Sequence, residues 1–164
     1  MATAGKNLSA IEKEKTPSAT LFNFGIVVSE WNEEITDALA KGAKEALLEL
    51  GASSRNVHIH SVPGSFELAL GAKMLIDSGK FDAIIAIGSV IQGETRHFEF
   101  VCQAVAQGVK DVTLQTGVPV IFCVLTDDTM EQAKARSGGK HGNKGVEAAV
   151  AAVKMAHLRH KLGA

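Results

Sequence analysis

One stretch in the middle of the chain combines residues that can hold an anion with a residue that can move a proton. Its first part, Ala83–Ile87, is an unbroken apolar run rich in isoleucine, typical of a strand buried on both faces of a parallel sheet. The run breaks at Gly88 and Gly93, and a helix is predicted to begin near Arg96 or His97. Backbone N–H groups at such a turn can bind phosphate, and histidine exchanges protons near neutral pH. The stretch therefore predicts a phosphate-binding loop beside a proton-transfer residue.

A purely structural interpretation of the same stretch stays open. In that interpretation the two glycines only form a tight turn, and His97 is a half-buried helix residue. A single glycine-containing turn between a strand and a helix is too loose a motif to decide between the two. The decision depends on what the other strand-to-helix turns carry.

The composition is that of an ordinary globular domain. The 164 residues suffice for one domain with a core, and 46% are hydrophobic and 21% charged. The net charge of -1 gives no electrostatic reason to expect binding to nucleic acid or to a membrane surface. No apolar run approaches the roughly 20 residues of a membrane-spanning helix, and the N-terminus lacks the apolar core of a signal peptide. We therefore expect a cytoplasmic protein, with Cys102 and Cys123 as small core residues.

Apolar strand patterns and helical patterns alternate four times along the chain. The predicted strands are residues 21–29, 57–62, 83–87 and 118–126, and the predicted helices are about 32–50, 67–78, 97–116, 129–136 and 143–162. Asn32 is expected to cap the first helix, and the residues expected to face inward on the third helix are Phe100, Val101, Ala104 and Val105. The alternation predicts an α/β fold in three αβα layers, a four-stranded parallel sheet with helices on both faces. Residues 1–20 are polar and are predicted to form a flexible arm, or one ordered by a partner, before a single domain at 21–164.

The strand-to-helix corners are the expected place for a site, because ligands of such sheets bind beyond the carboxyl ends of the strands. The first corner carries Trp31, whose ring is expected either to stack on a flat heterocycle or to pack on the helix start as a hydrophobic staple. The second corner carries Ser65, Phe66 and Glu67. The carboxylate of Glu67 either favours the helix dipole or accepts hydrogen bonds from sugar-like hydroxyls.

Positive charges cluster around a glycine-rich break after the fourth strand. They are Arg136, Lys140, His141 and Lys144. Such a cluster is commonly a solvated helix end, but an arginine fork is also the natural partner of a phosphate.

Two histidine pairs raise the question of a metal. His58 and His60 alternate along one strand, and His157 and His160 are one helical turn apart. Neither pair has a carboxylate or cysteine at ligand spacing, so no metal site is predicted.

Taken together, the corners resemble the lumazine synthase family. The resemblance covers about residues 24–162 and is carried by five blocks: GIVVSEWN (25–32), VPGSFE (62–67), AIGSVIQGETRH (86–97), VPVIFCVLT (118–126) and GKHGNKG (139–145). It implies a flavodoxin-like αβα sandwich and a reaction of two small-molecule substrates. These are 5-amino-6-(D-ribitylamino)uracil and 3,4-dihydroxy-2-butanone 4-phosphate, which condense to 6,7-dimethyl-8-ribityllumazine in the penultimate step of riboflavin biosynthesis. The resemblance implies no metal and no organic cofactor.

The resemblance also assigns roles to individual residues. His97 matches the acid–base residue. The residues that match pyrimidine-binding and ribityl-binding positions are Trp31, Ser65, Phe66, Glu67, Val90, Ile91, Phe122 and Lys144, and the last two match positions supplied by an adjacent subunit. The residues that match phosphate-binding positions are Gly93, Glu94, Thr95 and Arg136.

Two positions depart from the family pattern. Gln92 stands where many members have a basic residue, and Glu94 stands where small residues are frequent. Since a carboxylate repels a phosphate, Glu94 is expected to contribute only its backbone N–H while its side chain turns to solvent.

The resemblance further implies an assembly of identical chains, either a pentamer or a hollow shell of twelve pentamers, with sites between neighbouring subunits. The short linker 137–142 favours the 60-chain shell. Riboflavin synthase is a further candidate partner.

Two other functional classes stay open at this point. A flavodoxin-like module that binds a flavin or another phosphate ligand would explain the phosphate loop and Trp31, but it gives His97, Phe122 and Lys144 no role. A shell-forming structural protein with an unused site is the second alternative, against which His97 and Arg136 argue. An assay with both substrates separates these classes.

Overall fold

The computed structural model describes residues 7–163. The four parallel strands are β1 (Phe24–Ser29), β2 (Val57–Val62), β3 (Ala83–Ile91) and β4 (Val120–Asp127), in the sheet order β2-β1-β3-β4. The five helices are α1 (Glu33–Glu49), α2 (Leu68–Ser78), α3 (His97–Thr116), α4 (Met130–Arg136) and α5 (Lys144–Leu162). A 3₁₀ turn, Ser65–Glu67, precedes α2, and the predicted break after α4 contains a two-stranded hairpin of Ser137–Gly139 and Gly142–Asn143. The predicted α/β fold is confirmed.

The sheet has a separate hydrophobic core on each face. Alternate residues of β3 point to opposite faces, so Ile85 and Ile87 pack with α1, α4 and α5, whereas Ile84 and Ala86 pack with α2 and α3. β3 is buried along most of its length because it has a strand on each side and helices on both faces. This arrangement fixes the carboxyl ends of β1 and β3 side by side.

β3 does not end at Gly88, as the glycine had suggested, but continues to Ile91. The extension is held by β4, which pairs with β3 in register from Gly88↔Val124 to Ile91↔Asp127. A Cβ at position 88 would lie 2.5 Å from the Ser65 hydroxyl oxygen. Gly88 therefore allows the turn before α2 to approach β3 closely, and it is not a turn residue.

The inward face of α3 also differs from the prediction at one position. Val105, Val109 and Val112 are buried, but Phe100, expected to face the core, is 63% exposed. At 3.6 residues per turn, Phe100 lies about 140° around the helix from Val105, outside the buried stripe. The exposed ring is part of the outer surface of this chain.

Residues 7–20 pack against the domain through specific contacts, and Ala19 is part of its core. The Leu8 N–H donates to the His141 carbonyl at 2.9 Å, and the Ala19 N–H donates to the Leu50 carbonyl at 2.9 Å. Residues 1–6 of the predicted flexible arm lie outside the described residues, and flexibility of the arm stays a prediction. Within the described part of the chain, none of the helices has the length and apolar character needed to cross a membrane.

Candidate active site

A cleft of about 670 Å³ opens at the carboxyl ends of β1, β2 and β3. Its floor is the end of β3, and its walls are the β1–α1 corner, the turn before α2 and the first turns of α3. The lining residues are Trp31, Asn32, Gly64, Ser65, Phe66, Glu67, Ser89, Val90, Ile91, His97 and Val101. Seven of the predicted site residues therefore meet in one cavity, although they come from four separate segments of the sequence.

Two aromatic rings stand at the mouth of the cleft. Trp31 is 73% exposed and Phe66 is 61% exposed. A tryptophan exposed to this extent is not a hydrophobic staple buried against α1. Exposed rings around a concave site are suited to covering a flat ligand, because each ring offers an apolar face that water solvates poorly.

The turn before α2 presents a hydroxyl and a carboxylate to the cleft. Ser65 is buried against Gly88. Glu67 occupies the position before α2, but its side chain makes no capping hydrogen bond to the helix. The carboxylate is half-buried and lines the cavity, so it is available as an acceptor for donor groups of a ligand.

The loop between β3 and α3 is exposed and holds the predicted phosphate-binding residues. Its start is fixed by the Gln92 N–H, which donates to the Asp127 carbonyl at 2.9 Å. Within residues 7–163, the backbone N–H groups of Gly93, Glu94 and Thr95 have no acceptor. All three residues are exposed at the rim beside the cleft, so these donors remain free for an anion.

His97 begins α3, and its exposed side chain lines the cleft. The hydroxyl of Thr95 accepts a hydrogen bond from the backbone N–H of His97 at 3.4 Å, which ties the helix start to the loop. No other described residue hydrogen-bonds to the imidazole ring, so both ring nitrogens can reach a ligand.

Six predicted site residues do not line this cleft: three lie in the loop at its rim, and three lie elsewhere on the chain, namely Gly93, Glu94 and Thr95, and Phe122, Arg136 and Lys144. Phe122 is 40% exposed on the edge strand β4, and the Lys144 ammonium lies 2.9 Å from the Glu147 carboxylate. The Arg136 guanidinium donates to the Gln132 carbonyl at 2.9 Å.

The face of the sheet on which Arg136 lies follows from the alternation of side chains along β4. Cys123 and Leu125 point to the α1, α4 and α5 face, and Asp127 continues this alternation. The Arg136 guanidinium lies 3.7 Å from the Asp127 carboxylate, on α4. His97 is on α3, which packs on the other face. Within one chain, the layer that carries Arg136 is thus different from the layer that carries His97.

Asp127 is itself an unusual group. It is nearly buried, and one of its carboxylate oxygens has no hydrogen-bond partner among the described residues. Burial raises the pKa of the Asp127 carboxyl, and the neighbouring Arg136 guanidinium only partly offsets that effect. Arg136 alone therefore does not fully compensate the burial of the Asp127 carboxylate.

Sequence reasoning missed Gly64, Ser89 and Val101, and it misassigned Asn32. Asn32 does precede α1, but its side chain makes no capping hydrogen bond. Its amide instead donates to the Ser89 carbonyl at 2.8 Å. The usable signal in the sequence was an asparagine at the corner between the first strand and the first helix. Asparagine tolerates the left-handed backbone conformation that a sharp corner requires.

Two of the histidines outside the cleft pack against phenylalanine rings. The His58 ring packs edge-on against Phe81 at 5.6 Å, and the His160 ring packs edge-on against Phe22 at 6.0 Å. In the described part of the chain, no group of three or more histidine, cysteine, aspartate or glutamate residues could hold a metal ion.

The two cysteines are both free thiols. Cys123 is fully buried, and burial raises the pKa of its thiol to about 12. Cys102 is only partly buried, so the prediction of a core residue holds for Cys123 alone.

Comparison with known proteins agrees with the geometry of the cleft. Residues 22–160 match the family described as 6,7-dimethyl-8-ribityllumazine synthase. The chain is 60% identical over 160 residues to the protein of that name from Christiangramia forsetii, covering 97% of this chain and 95% of the relative. It is 56% identical to the one from Flavobacterium johnsoniae, over 98% of this chain and 85% of the relative. It is 51% identical to the one from Porphyromonas gingivalis, over 96% and 98% of the two chains. The chain belongs to the 6,7-dimethyl-8-ribityllumazine synthase family.

Proposed function

We propose that the protein is a transferase that condenses 5-amino-6-(D-ribitylamino)uracil with 3,4-dihydroxy-2-butanone 4-phosphate. The products are 6,7-dimethyl-8-ribityllumazine, phosphate and water, and the reaction belongs to riboflavin biosynthesis. One observation carries the proposal: a single cleft is lined by Trp31, Phe66 and His97 and adjoins a loop with free N–H groups. These features match the needs of a flat ring, a phosphate and a proton transfer.

The pyrimidine is proposed to lie across the floor of the cleft. The indole of Trp31 covers its face, and the backbone of Val90 and Ile91 at the end of β3 offers polar groups to its edge. The ribityl chain then runs toward Ser65 and Glu67. Hydroxyls of the chain donate to the free carboxylate of Glu67, which accounts for an unpaired acid at this position.

The phosphate of the second substrate is proposed to bind the N–H groups of Gly93, Glu94 and Thr95. Three neutral donors leave the charge of a phosphate dianion uncompensated, which Arg136 would neutralise. The side chain of Glu94 is exposed, so its carboxylate can point to solvent while its N–H donates.

The chemistry requires orientation and proton transfer. The ring amino group attacks the ketone carbonyl, and loss of water gives an imine. Elimination of phosphate, closure by the ribitylamino nitrogen and a second loss of water follow. The sequence is redox-neutral, and phosphate leaves readily. The protein therefore needs to hold the two substrates together, while His97 relays protons between the leaving and attacking groups.

The complete site is proposed to form between two copies of the chain. Phe122 and Lys144 do not line the cleft of their own chain, and Arg136 lies in a different layer from His97. A neighbour that supplies these residues would close the cleft over the pyrimidine and bring the guanidinium to the phosphate. The exposed apolar side chains on α2 and α3 support an interface of this kind, namely Leu70, Met74, Phe100 and Leu114.

The assembly is proposed to be a ring of five chains, and in turn a shell of twelve rings, in the cytoplasm. The free thiols Cys102 and Cys123 suit a reducing compartment. Riboflavin synthase, which would consume the product, is a proposed partner of the assembly.

The test is direct. The purified chain is incubated with both substrates, and the absorbance and fluorescence of the lumazine are followed, with each substrate omitted in turn as a control. Light scattering on the same sample reports the assembly. A correctly folded, assembled protein that makes no lumazine would rule out the proposed activity and favour a binding or structural role.

A further inference from the structure

Asn32 has a backbone conformation that no other described non-glycine residue shares. Its φ of 60° and ψ of 46° lie in the left-handed region, and it is the one residue besides glycines with positive φ within residues 7–163. Such a conformation is unfavourable for most L-amino acids, though least so for asparagine and aspartate. A residue held in this region at a ligand cleft is a reason to look for a function.

The side chain of Asn32 joins two strands where their own pairing stops. β1 pairs with β3 up to Val28↔Ile87, whereas β3 continues to Ile91. The Asn32 amide donates to the Ser89 carbonyl at 2.8 Å, just beyond the end of that pairing. A backbone carbonyl only accepts hydrogen bonds, so the nitrogen of the amide is the atom that faces it. The side chain thus extends the link between the β1 corner and the end of β3.

The backbone of Asn32 fixes the helix that follows. Its carbonyl accepts from the N–H groups of Ile35 at 2.8 Å and Thr36 at 3.1 Å, the first hydrogen bonds of α1. Asn32 therefore connects the start of α1, the corner after β1 and the end of β3. Trp31 is the residue immediately before it, and Val90 is the residue immediately after Ser89.

We propose that Asn32 is a positioning residue that sets the distance between the Trp31 ring and the floor of the cleft at Val90. The inference rests on the proposed function, in which Trp31 covers the face of the pyrimidine and the backbone of Val90 holds its edge. Without the hydrogen bond to Ser89, the corner keeps its fold, but Trp31 loses its fixed position relative to β3. The site then binds the pyrimidine more weakly, whereas the phosphate loop after Ile91 is unaffected.

Three substitutions separate the two properties of Asn32. Asn32→Gly keeps the left-handed backbone and removes the donor. Asn32→Asp also tolerates that backbone and replaces the donor by an acceptor, whereas Asn32→Ala loses both properties. Glu33→Gln is the matched control, because it changes the neighbouring side chain at the start of α1 and leaves the link to Ser89 intact.

The first measurement is steady-state kinetics with each substrate varied. Asn32→Gly and Asn32→Asp are expected to raise the KM for 5-amino-6-(D-ribitylamino)uracil about tenfold, the equivalent of one hydrogen bond. The KM for the phosphate substrate stays at the wild-type value. Asn32→Ala raises the first KM at least as much, and Glu33→Gln changes neither.

The second measurement does not require activity. Trp31 is the only tryptophan and the chain has no tyrosine, so tryptophan fluorescence reports this corner alone. Time-resolved anisotropy is expected to show a larger fast depolarisation in Asn32→Gly and Asn32→Asp than in the wild type and in Glu33→Gln.

The outcomes distinguish this proposal from the proposed function. If Asn32→Gly and Asn32→Asp keep wild-type depolarisation and a wild-type KM, the positioning role is refuted, even when thermal stability falls. If both KM values rise equally, the residue is merely structural and the proposal fails. If the wild type makes no lumazine, the proposed function fails, and the depolarisation of the variants alone decides whether Asn32 holds Trp31.

Discussion

Replacing Gly88 by alanine tests whether the cleft depends on close packing between β3 and the turn before α2. A Cβ at position 88 would lie 2.5 Å from the Ser65 hydroxyl oxygen and 3.0 Å from Leu68 Cδ1. An ordinary contact is about 3.5–4 Å, so Ser65 has to move by roughly 1 Å. Overpacking of this kind costs about 1–3 kcal/mol. For a domain of this size, that lowers Tm by about 2–12 °C. Because Ser65 lines the cleft, the KM for the pyrimidine substrate is expected to rise as well.

Gly93→Ala is the matched control for this prediction. A Cβ at position 93 would meet nothing within 4 Å, and the residue has no positive φ. Its Tm is therefore expected to equal that of the wild type, or to exceed it slightly through the reduced entropy of the unfolded chain. Calorimetry of both variants at one protein concentration gives the comparison. A Gly88→Ala variant as stable as Gly93→Ala would show that the turn before α2 is not packed against β3 as described.

Three further substitutions test individual residues. His97→Ala is expected to lower kcat by roughly 10²-fold or less. General acid–base catalysis contributes about 10²–10⁴-fold, and the positioning of the two substrates persists in the variant. A variant with unchanged kcat would contradict the proton-transfer role. Arg136→Ala should raise the KM for the phosphate substrate about 10- to 100-fold, the worth of a charge-assisted hydrogen bond, and unchanged KM and kcat would exclude Arg136 from the site. Asp127→Asn should gain stability over the wild type as pH rises. Burial raises the pKa of the Asp127 carboxyl in the folded state, so folding favours the protonated form of this group. The protonated carboxyl thus contributes stability to the wild type at pH values below the usual pKa of 3.8. The wild type loses this stability as pH rises through the folded-state pKa, whereas the asparagine variant does not titrate. Thermal melts between pH 3 and pH 6 measure this difference, and a constant difference would show that Asp127 has the same pKa when folded and unfolded.

The fold was predictable from sequence because short stretches of consecutive residues specify each strand and helix. Runs such as Ala83–Ile87 and the helical stripe of α1 each specify an element, and the alternation of elements specifies a parallel sheet. The continuation of β3 through Gly88 was not predictable in this way. It depends on the neighbouring strand β4 and on the approach of Ser65, both distant in sequence.

The site was predictable where one corner contributes several residues together. Ser65, Phe66 and Glu67 are consecutive, and all three line the cleft. The placement of Asn32 was not predictable, because an asparagine before a helix normally caps it, and only the end of β3 shows where its amide goes. Phe122 and Lys144 could not be placed from one chain at all, since the cavity that they are proposed to line lies outside the chain that carries them.

The outer edge of the sheet at β2 has a consequence for how the chain avoids aggregation. Within residues 7–163, β2 pairs only with β1, so its other side presents unpaired amide and carbonyl groups to any extended peptide. This exposed template is six residues long, because a 3₁₀ turn at Ser54–Asn56 precedes it and Pro63 follows it. Since proline has no N–H, it cannot prolong the ladder. Any strand added at this edge is therefore limited to about six residues, or roughly 20 Å, which confines the part of the sheet that another extended chain can pair with.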